Sequence, residues 1–463
     1  MTQSGTQVKT GSLLFIICLG SSLVPFMGSA LNLALPYINK DLSLNAVMSG
    51  WIPTSYMLST AILQIPSARI ADMVGRRKVF LGGVVLLVIF SMLSGLATTG
   101  TSLLVYRFLS GIGSAMMFGT STAILTSSIP AERRGKALGA ISATVYFSLA
   151  AGPFLGGILT QYLDWHSIFF VTAAIALIVA IGGYLIIKED WKEEVKTKFD
   201  IVGSILFAVG LSSLIFGFSE LPHIQGFVFI GVGIAVLLYF GIYEKKQEYP
   251  VFNIRVFLEN KVFRLSSVSA LINYSATFAI SFMLSLYLQY VRGMSPRDAG
   301  LILIVQSVVQ AVASLKSGSL SDKMSATFLA TLGMSIIAVG LIGLCFISES
   351  TNLYFLGGLL VLLGLGFGIF SSPNTNIIMS SVEKKYYGLA SATMGTMRLT
   401  GQAFSMGIAI MAISLIVGDV KLSPAVHNEL IGSMRITFII CFVLCVCGIY
   451  ASSVREKKKN KNE

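Results

Sequence analysis

The chain has 463 residues, of which 54% are hydrophobic and only 12% are charged, and its mean hydropathy is +0.81. A soluble domain carries about 25% charged residues, so this composition excludes a set of soluble domains and, with it, a disordered, fibrous or nucleic-acid-binding protein. The net charge of +12 does not indicate a nucleic-acid partner, because its distribution follows membrane orientation, as described below. We predict an all-α polytopic membrane protein without a cofactor or a metal site.

Fourteen apolar runs are long enough to cross the ~30 Å hydrocarbon core as helices of about 20 residues. They begin near Gly11, Ala46, Val79, Ser102, Ala137, Ser167, Ile201, Phe227, Val262, Ala299, Phe328, Leu353, Gly388 and Ile431. The first run is too long for a cleaved signal peptide and ends at Pro36, directly before the second run, so we expect it to remain as a span. All five cysteines fall inside such runs, where disulfides and metal sites are not expected.

The lysines and arginines lie mostly on one side of this arrangement. The two tails and the loops after even-numbered runs hold 26 of the 33, whereas the loops after odd-numbered runs hold five. Positively charged loops stay in the cytoplasm. We therefore expect a multi-pass protein of the cell membrane with both termini cytoplasmic, and a basic tail at 455–461 that contacts anionic lipids.

Two pairs of loops resemble each other at a constant distance along the chain. Asp72 after the second run corresponds to Asp322 after the tenth, 250 residues later, and Glu132 after the fourth run corresponds to Glu383, 251 residues later. The shared offset indicates two copies of a six-helix unit, a repeat type that transporters use, with the substrate site between the halves. The predicted parts are an N-terminal half at 1–190, two extra helices with their linkers at 191–261, and a C-terminal half with the basic tail at 262–463.

Five short motifs follow one another along the first half of the chain. They are Asn32-Leu-Ala-Leu-Pro36, Trp51-Ile-Pro-Thr-Ser-Tyr56-Met-Leu58, Asp72-Met-Val-Gly75-Arg76-Arg77-Lys78, Arg107-Phe-Leu-Ser110-Gly111-Ile-Gly113 and Gly152-Pro153-Phe-Leu-Gly156-Gly157. With these motifs, the duplication and the number of runs, the chain resembles the major facilitator superfamily, in particular its fourteen-span drug:proton antiporter branch. It departs from the family patterns at Ala68, Met73, Ser110 and Ser148. The resemblance implies a major facilitator fold of fourteen transmembrane helices, arranged as six, two and six, with two pseudo-symmetric halves.

The resemblance also gives the charged loops a gating role. Asp72, together with Gly75, Arg76 and Arg77, is expected to hold the cytoplasmic helix ends together in one conformational state, because a carboxylate there pairs with arginine and with a helix N-terminus. Asp322 and Lys323 are expected to form a second, weaker latch. The alternative is a pair of solvated loops whose charges only set orientation.

In the fifth run, a proline and three glycines predict a bent helix that packs closely against its neighbours. Gly152-Pro153 removes a backbone donor and bends the helix, and Gly156 and Gly157 allow another helix to approach closely. We expect this helix to tighten one half against the other and to seal a leak path. Ordinary packing of small residues is the alternative.

Proton coupling lacks its usual carboxylate in this sequence. Relatives often carry an acid nine residues before the proline that ends the first span, where this chain has Met27. All 21 acidic residues lie in predicted loops or near span ends. Arg107 lies inside the fourth span and is a functional candidate, although its side chain has the alternative of extending to the external interface. The candidates for proton coupling are Arg107, Asp164, Glu220 and His166.

The substrate cavity is expected to draw on spans 1, 4, 9 and 12, which line it in this fold, and on neighbouring spans. The candidate residues are Asn32, Asn273, Tyr274, Phe278, Gln306, Gln310, Asn374, Asn376 and Arg398. The amides have an alternative role in hydrogen bonds between helices. A cavity of amides, aromatic rings and methionine, with arginine as its only fixed charge, predicts neutral, zwitterionic or anionic amphiphiles as substrates.

We expect a monomeric secondary transporter that exports amphipathic drugs or related small molecules by alternating access, as a proton antiporter. It is not expected to be an enzyme, because the sequence has no nucleophile–base pair, metal cluster or phosphate-binding loop. Two other functions stay open. One is a facilitator or exporter of a neutral metabolite or lipid-like molecule without standard proton coupling, and the other is a non-transporting membrane receptor or scaffold.

Overall fold

A computed structural model describes residues 10–129, 131–191, 199–321, 323–383, 387–418 and 426–453, and every regular element in these ranges is helical. The helices are α1 (Thr10–Asp41), α2 (Ala46–Val74), α3 (Arg76–Gly95), α4 (Gly100–Ser128), α5 (Ala131–Leu163), α6 (His166–Ile186), α7 (Ile201–Ser219), α8 (Ile224–Glu244), α9 (Ile254–Glu259), α10 (Lys261–Leu286), α11 (Pro296–Leu320), α12 (Ala326–Leu344), α13 (Leu353–Ser380), α14 (Tyr387–Ile416) and α15 (His427–Ser453). A π-helical segment, Tyr287–Val291, continues α10. Apart from the short α9, each helix begins at a predicted run start or up to six residues before it.

Twelve helices in the described ranges are long and apolar enough to cross a membrane. α5 joins them only if Ala143–Leu149 and Ala151–Leu163, which meet at 40°, are one span. α2 is long enough but not apolar enough to be counted among them, because its buried faces carry hydroxyl and amide side chains. Among these are Thr54, Thr60 and Gln64, which are buried against other helices. The all-helical architecture is confirmed, and the count of fourteen membrane spans stays a prediction.

Side-chain caps define several of the helix starts. Asn45 accepts a hydrogen bond from the Met48 amide at the start of α2, and Thr99 forms a capping box with Ser102 at the start of α4. α11 begins with Ser295 as the N-cap and a proline at the first helical position. Each cap supplies an acceptor to an amide that would otherwise lack a partner, which sharpens the boundary between loop and helix.

The long helices alternate in direction, so the molecule has two ends. We call the end that carries the start of α1 and the end of α15 the terminal side, and the opposite end the far side. The loops α2–α3, α4–α5, α6–α7, α8–α10, α11–α12 and α13–α14 lie on the terminal side. This is the side that the charge distribution predicts to be cytoplasmic.

The packing of α1–α6 is repeated by α10–α15. α1 packs on α5, α2 on α4, and α3 on both α4 and α6; correspondingly α10 packs on α14, α11 on α13, and α12 on both α13 and α15. The six-helix units meet mainly through α5 with α11 and α2 with α14. The α7–α8 hairpin lies outside both units, and α7 contacts α2 and α14. The part boundaries at 190 and 261 remain predictions, since residues 192–198 of the first linker are outside the described residues.

Candidate functional site

The α2–α3 loop on the terminal side is built around an ion pair. Arg76 places Nε and Nη2 2.8 Å from Oδ1 of Asp72, which lies four residues earlier, in α2. Its remaining amino group donates to Ser127 Oγ at 2.6 Å and to the Ala123 carbonyl at 3.4 Å, both in α4. The pair therefore fastens the end of α2 and the start of α3 to the terminal end of α4.

A second carboxylate, Asp190, enters the same loop from beyond the end of α6. The Arg77 amide donates to Asp190 Oδ1 at 3.0 Å, and Lys78 Nζ lies 3.9 Å from Oδ2. Gly75 has φ +127°, and a Cβ there would collide with the Asp190 carboxylate, so the loop requires glycine at this position. No motif in the sequence indicated Asp190; its one local signal is the acidic pair Glu189-Asp190 shortly after the end of α6.

The corresponding loop of the second unit is only partly described. Asp322 lies outside the described residues, and the roles predicted for it and for Lys323 stay predictions. Next to it, Asn376 Nδ2 in α13 donates to Ser321 Oγ at 2.9 Å. This amide therefore joins the terminal ends of α11 and α13, as the alternative role of the amides predicts.

The glycines of α5 lie where this helix contacts both units. A Cβ on Gly152 would collide with Ser29 Oγ of α1, and one on Gly156 with the Ala30 carbonyl. On Gly157 it would lie 2.5 Å from the Pro296 carbonyl at the start of α11. The glycines thus let α5 approach α1 and α11 more closely than side chains permit.

On the far side, the two units are joined by hydrogen bonds. Ser285 Oγ in α10 donates to the Asn32 carbonyl of α1 at 2.7 Å, and Gln289 Nε2 donates to the neighbouring Leu33 carbonyl at 3.2 Å. Arg297 Nη1 lies 3.3 Å from the Tyr162 hydroxyl, which joins α11 to α5. With the close approach at Gly157, these contacts hold the units together on this side.

A small cavity lies between the two units. Its lining comes from α1, α2 and α5 of the first unit and α10 and α14 of the second, namely Val24, Pro25, Gly28, Tyr56, Met57, Val145, Leu149, Phe278, Arg398, Leu399 and Gln402. The described lining includes one cation, Arg398, and no carboxylate. The Arg398 guanidinium lies 5.0 Å from the centre of the Phe118 ring of α4, a cation–π contact.

Of the predicted cavity residues, Phe278 and Arg398 line this space. The others lie elsewhere: Asn374 Nδ2 donates to the Ser266 carbonyl, Tyr274 packs edge-on against Phe367, and Gln306 and Gln310 are buried in α11. The cavity draws on α2, α5 and α14 rather than on α4 and α13. This is because α2, α5 and α14 are the helices that face the opposite unit. Sequence reasoning missed Tyr56, Met57 and Gln402.

Two further predicted amides, Asn32 and Asn273, are buried with no hydrogen-bond partner for their side chains in the described part of the chain. The Asn32 backbone carbonyl does accept the hydrogen bond from Ser285 at the junction of the units. Neither amide side chain therefore forms a hydrogen bond between the described helices in this conformation.

Arg107 is fully buried in the far-side half of α4 and does not extend to the surface. Its guanidinium lies 4.2 Å from the centre of the Tyr56 ring, and Nε is 3.5 Å from the Ile52 carbonyl. The two terminal nitrogens, Nη1 and Nη2, have no hydrogen-bond partner among the described residues. The Tyr56 hydroxyl shares a 2.7 Å hydrogen bond with Ser114, so this tyrosine connects Arg107 to the wall of the cavity.

One of the far-side acids, Asp164, lies close to a histidine. Asp164 Oδ2 is 3.0 Å from His166 Nδ1, and the His166 ring stacks on Trp165. Trp165 Nε1 donates to Asp41 Oδ2 at 3.1 Å, which ties the end of α1 to this corner. Glu220 ends α7 on the same side and caps it through its backbone amide. No ion pair between Arg107 and these acids occurs in the ranges that the structure describes.

Comparison with known proteins places these features in context. The family model of the Major Facilitator Superfamily matches residues 17–406. The chain is 28% identical over 400 residues to the riboflavin transporter RibZ of Clostridioides difficile, covering 86% of this chain and 87% of that protein. It is 28% identical over 419 residues to the multidrug resistance protein Stp of Mycobacterium tuberculosis (89% and 75%), and 29% over 432 residues to the cephamycin export protein CmcT of Amycolatopsis lactamdurans (88% and 87%).

A solved structure has the same fold. It is a bacterial homologue of the human lysosomal transporter Spinster, in an inward-facing and unoccupied conformation, with a TM-score of 0.70 and 16% identity over 97% of this chain and 98% of that one.

Proposed function

The chain belongs to the Major Facilitator Superfamily and is a multi-pass membrane transporter rather than an enzyme, and on this premise we propose that it exports amphipathic small molecules as a proton antiporter. Export proceeds by alternating access, in which the two six-helix units rock about the cavity between them. The protein acts as a monomer in the cell membrane, with the terminal side in the cytoplasm and its basic tail on anionic lipids.

The observation that carries the proposal is the cavity between the units. Both units contribute to its wall, so a rigid-body movement that opens it on one side closes it on the other. Tyr56, Phe278 and Met57 offer aromatic and flexible apolar surface, which suits molecules of varied shape. Arg398 adds a positive charge, so neutral, zwitterionic and anionic amphiphiles are favoured over cations.

The names of the relatives agree with this substrate class. One is named a riboflavin transporter, one a multidrug resistance protein and one an exporter of cephamycin. We propose that this chain likewise takes ring-containing molecules that combine apolar and polar faces.

We propose that protons couple to transport on the far side. Arg107 is a buried cation beside the cavity-lining Tyr56, and Asp164 and His166 form a titratable pair at the surface. The second candidate function, transport without proton coupling, is favoured by one observation: the described lining of the cavity has no carboxylate.

Flux into proteoliposomes tests the proposal. With riboflavin as a neutral probe and fluorescein as an anionic one, an acidic lumen should drive accumulation in vesicles whose protein exposes the terminal side outward. We expect uptake to rise at least several-fold over vesicles without a pH gradient, and an uncoupler to remove the difference.

Two results would favour another function. If uptake reaches equilibrium at the same rate with and without the pH gradient, the result contradicts proton antiport and supports a facilitator. Uptake of neither probe, nor of a panel of antibiotics, by protein of verified fold would contradict transport of this class and favour a receptor or scaffold. Empty liposomes and protein heated before reconstitution are the controls.

A further inference from the structure

The α7–α8 hairpin carries a deeply buried carboxyl group. Glu244, the last residue of α8, is 2% exposed and is the only buried acidic residue in the described part of the chain. It lies at the terminal end of the hairpin, remote from the far-side acids considered above. A carboxyl group at such a depth needs a hydrogen-bonded or charged partner, or a proton.

The partner of Glu244 is a second acid, Asp200, which is the N-cap of α7. Asp200 Oδ1 accepts from the Gly203 amide at 2.8 Å and from the Tyr243 hydroxyl at 3.2 Å. Glu244 Oε2 accepts from the Phe252 amide at 3.2 Å. Each acid thus uses one oxygen to hold the backbone, and the other oxygens, Asp200 Oδ2 and Glu244 Oε1, are buried with no donor among the described residues.

The two unused oxygens face each other across Gly203. A Cβ on Gly203 would collide with both of them, so they lie within the roughly 4–6 Å over which one charge alters the protonation of another. Glycine at this position therefore brings the two carboxyl groups together.

The described basic side chains near the pair point elsewhere. Lys245 and Lys246 are exposed, and the exposed Arg255 donates to the Lys245 carbonyl at 2.8 Å. The facing titratable side chains are Tyr243, which donates to Asp200, and Tyr239, whose ring lies 6.5 Å from that of Tyr243. α2 and α14 contribute apolar side chains here, Ile65 and Leu389.

We propose that Asp200 and Glu244 form a proton-binding site in which a single proton bridges Glu244 Oε1 and Asp200 Oδ2. Two like charges this close and this buried do not ionise together. The helix ends decide which acid carries the proton. Asp200 is the N-cap at the positive end of α7, whereas Glu244 lies at the negative end of α8, so we assign the proton to Glu244.

The proton fixes the position of the connection that follows α8. Phe252, whose amide binds Glu244, packs with Val251, Phe240, Ile65 and Leu389 in one apolar cluster. Ile65 belongs to α2 and Leu389 to α14, so the cluster joins the hairpin to both six-helix units on the terminal side. Loss of the proton places two negative charges in this position and loosens the connection. The site is independent of the proposed transport activity.

Infrared titration of the purified full-length protein tests for the proton. Between about pH 5 and about pH 7.5, above the pKa of ~4.3 of a free glutamic acid, wild type should keep a carboxylic-acid carbonyl band that Glu244→Gln lacks. The matched control is Glu248→Gln, an exposed acid four residues further along in the connection after α8, which should leave the band unchanged. If Glu244→Gln does not fold, Asp200→Asn replaces it, and the band should again be lost.

Hydrogen exchange of the peptide that contains Phe252 tests the consequence. After correction for intrinsic rates, protection in wild type should fall as pH rises through the titration of the band. Glu244→Gln should stay protected throughout, because its amide donates to Asp200 in place of the proton. Absence of the band in wild type, or its persistence in Glu244→Gln, would overturn the proposal. So would a bound divalent cation that stabilises wild type but not the variant.

Discussion

Replacing Asp72 by asparagine should reduce transport at least about tenfold while substrate affinity changes no more than a few-fold. The substitution removes the carboxylate charge that holds two nitrogens of Arg76 at 2.8 Å. Because Arg76 also donates to Ser127 of α4, the substitution weakens that contact too. Hydrogen bonds to charged groups contribute about 1.5–3 kcal/mol, and the partial exposure of this pair, 27% and 24%, favours the lower figure. Such a loss shifts the balance between conformations by roughly tenfold.

Substrate affinity should be nearly unchanged because the α2–α3 loop is remote from the cavity. The loop lies at the edge of the ~30 Å hydrocarbon core, whereas the cavity lies near the middle of that core, about half its thickness away. The measurement is riboflavin uptake beside equilibrium binding of riboflavin to detergent-purified protein. Asp298→Asn is the matched control, since this acid lies in the first turn of α11 on the far side and has no arginine partner in the described ranges. Loss of binding by a folded Asp72→Asn protein would place the substrate at the loop and contradict the assignment of the cavity.

Removing the charge of Arg398 should change substrate selection. The wild-type cavity should bind riboflavin and fluorescein better than propidium, a permanent dication of similar aromatic size, because the described lining offers a dication no counter-charge. Arg398→Gln should weaken fluorescein binding about 10- to 100-fold, as expected for the loss of a hydrogen bond to a charged group. Riboflavin, which has no net charge, should lose only a few-fold.

Competition binding of the three dyes to purified protein measures these affinities. Arg398→Lys serves as the control, because it keeps the positive charge and should retain most of the affinity for fluorescein. Tight propidium binding by wild type, abolished when one acid is neutralised, would mean that an acid reaches the substrate, which would contradict this account of specificity.

Much of the fold could be predicted from local sequence. The starts of the helices follow from apolar runs and from caps such as Asn45 and Thr99, which depend on residues a few positions apart. The Asp72–Arg76 pair could be anticipated for the same reason, since its members lie only four residues apart, on either side of the α2–α3 turn. The pairing of α1 with α5 and of α10 with α14 is the physical counterpart of the constant offset between the repeated loops.

The remaining features depend on tertiary packing that no local pattern encodes. Which helix faces line the cavity depends on the rotation of each helix within its unit, so Tyr56 and Gln402 line it while Asn374 bonds to a neighbouring backbone. Asp190 reaches Gly75 from more than a hundred residues away. Glu244 lies at the end of a span, where local sequence predicts a solvated acid. It is buried only because the chain turns back through Val251 and Phe252.

Alternating access requires the two six-helix units to move apart on the far side during each transport cycle. A reversible cross-link between α2 and α14 tests it directly. A Cβ on Gly50 would lie 3.7 Å from the Cβ of Ile410, close to the ~3.8 Å separation in disulfides. In a cysteine-free background, Gly50→Cys with Ile410→Cys therefore forms a bridge between the units. The matched control is Gly119→Cys with Ala68→Cys, which bridges α4 and α2 within one unit at the same 3.7 Å spacing.

We expect oxidation of the Gly50–Ile410 pair to abolish riboflavin uptake into proteoliposomes, and a reductant to restore it. Oxidation of the control pair should leave uptake at its reduced level. Undiminished uptake by protein whose Gly50–Ile410 cross-link is complete would contradict alternating access between the units, because the substrate would then cross without their separation on the far side.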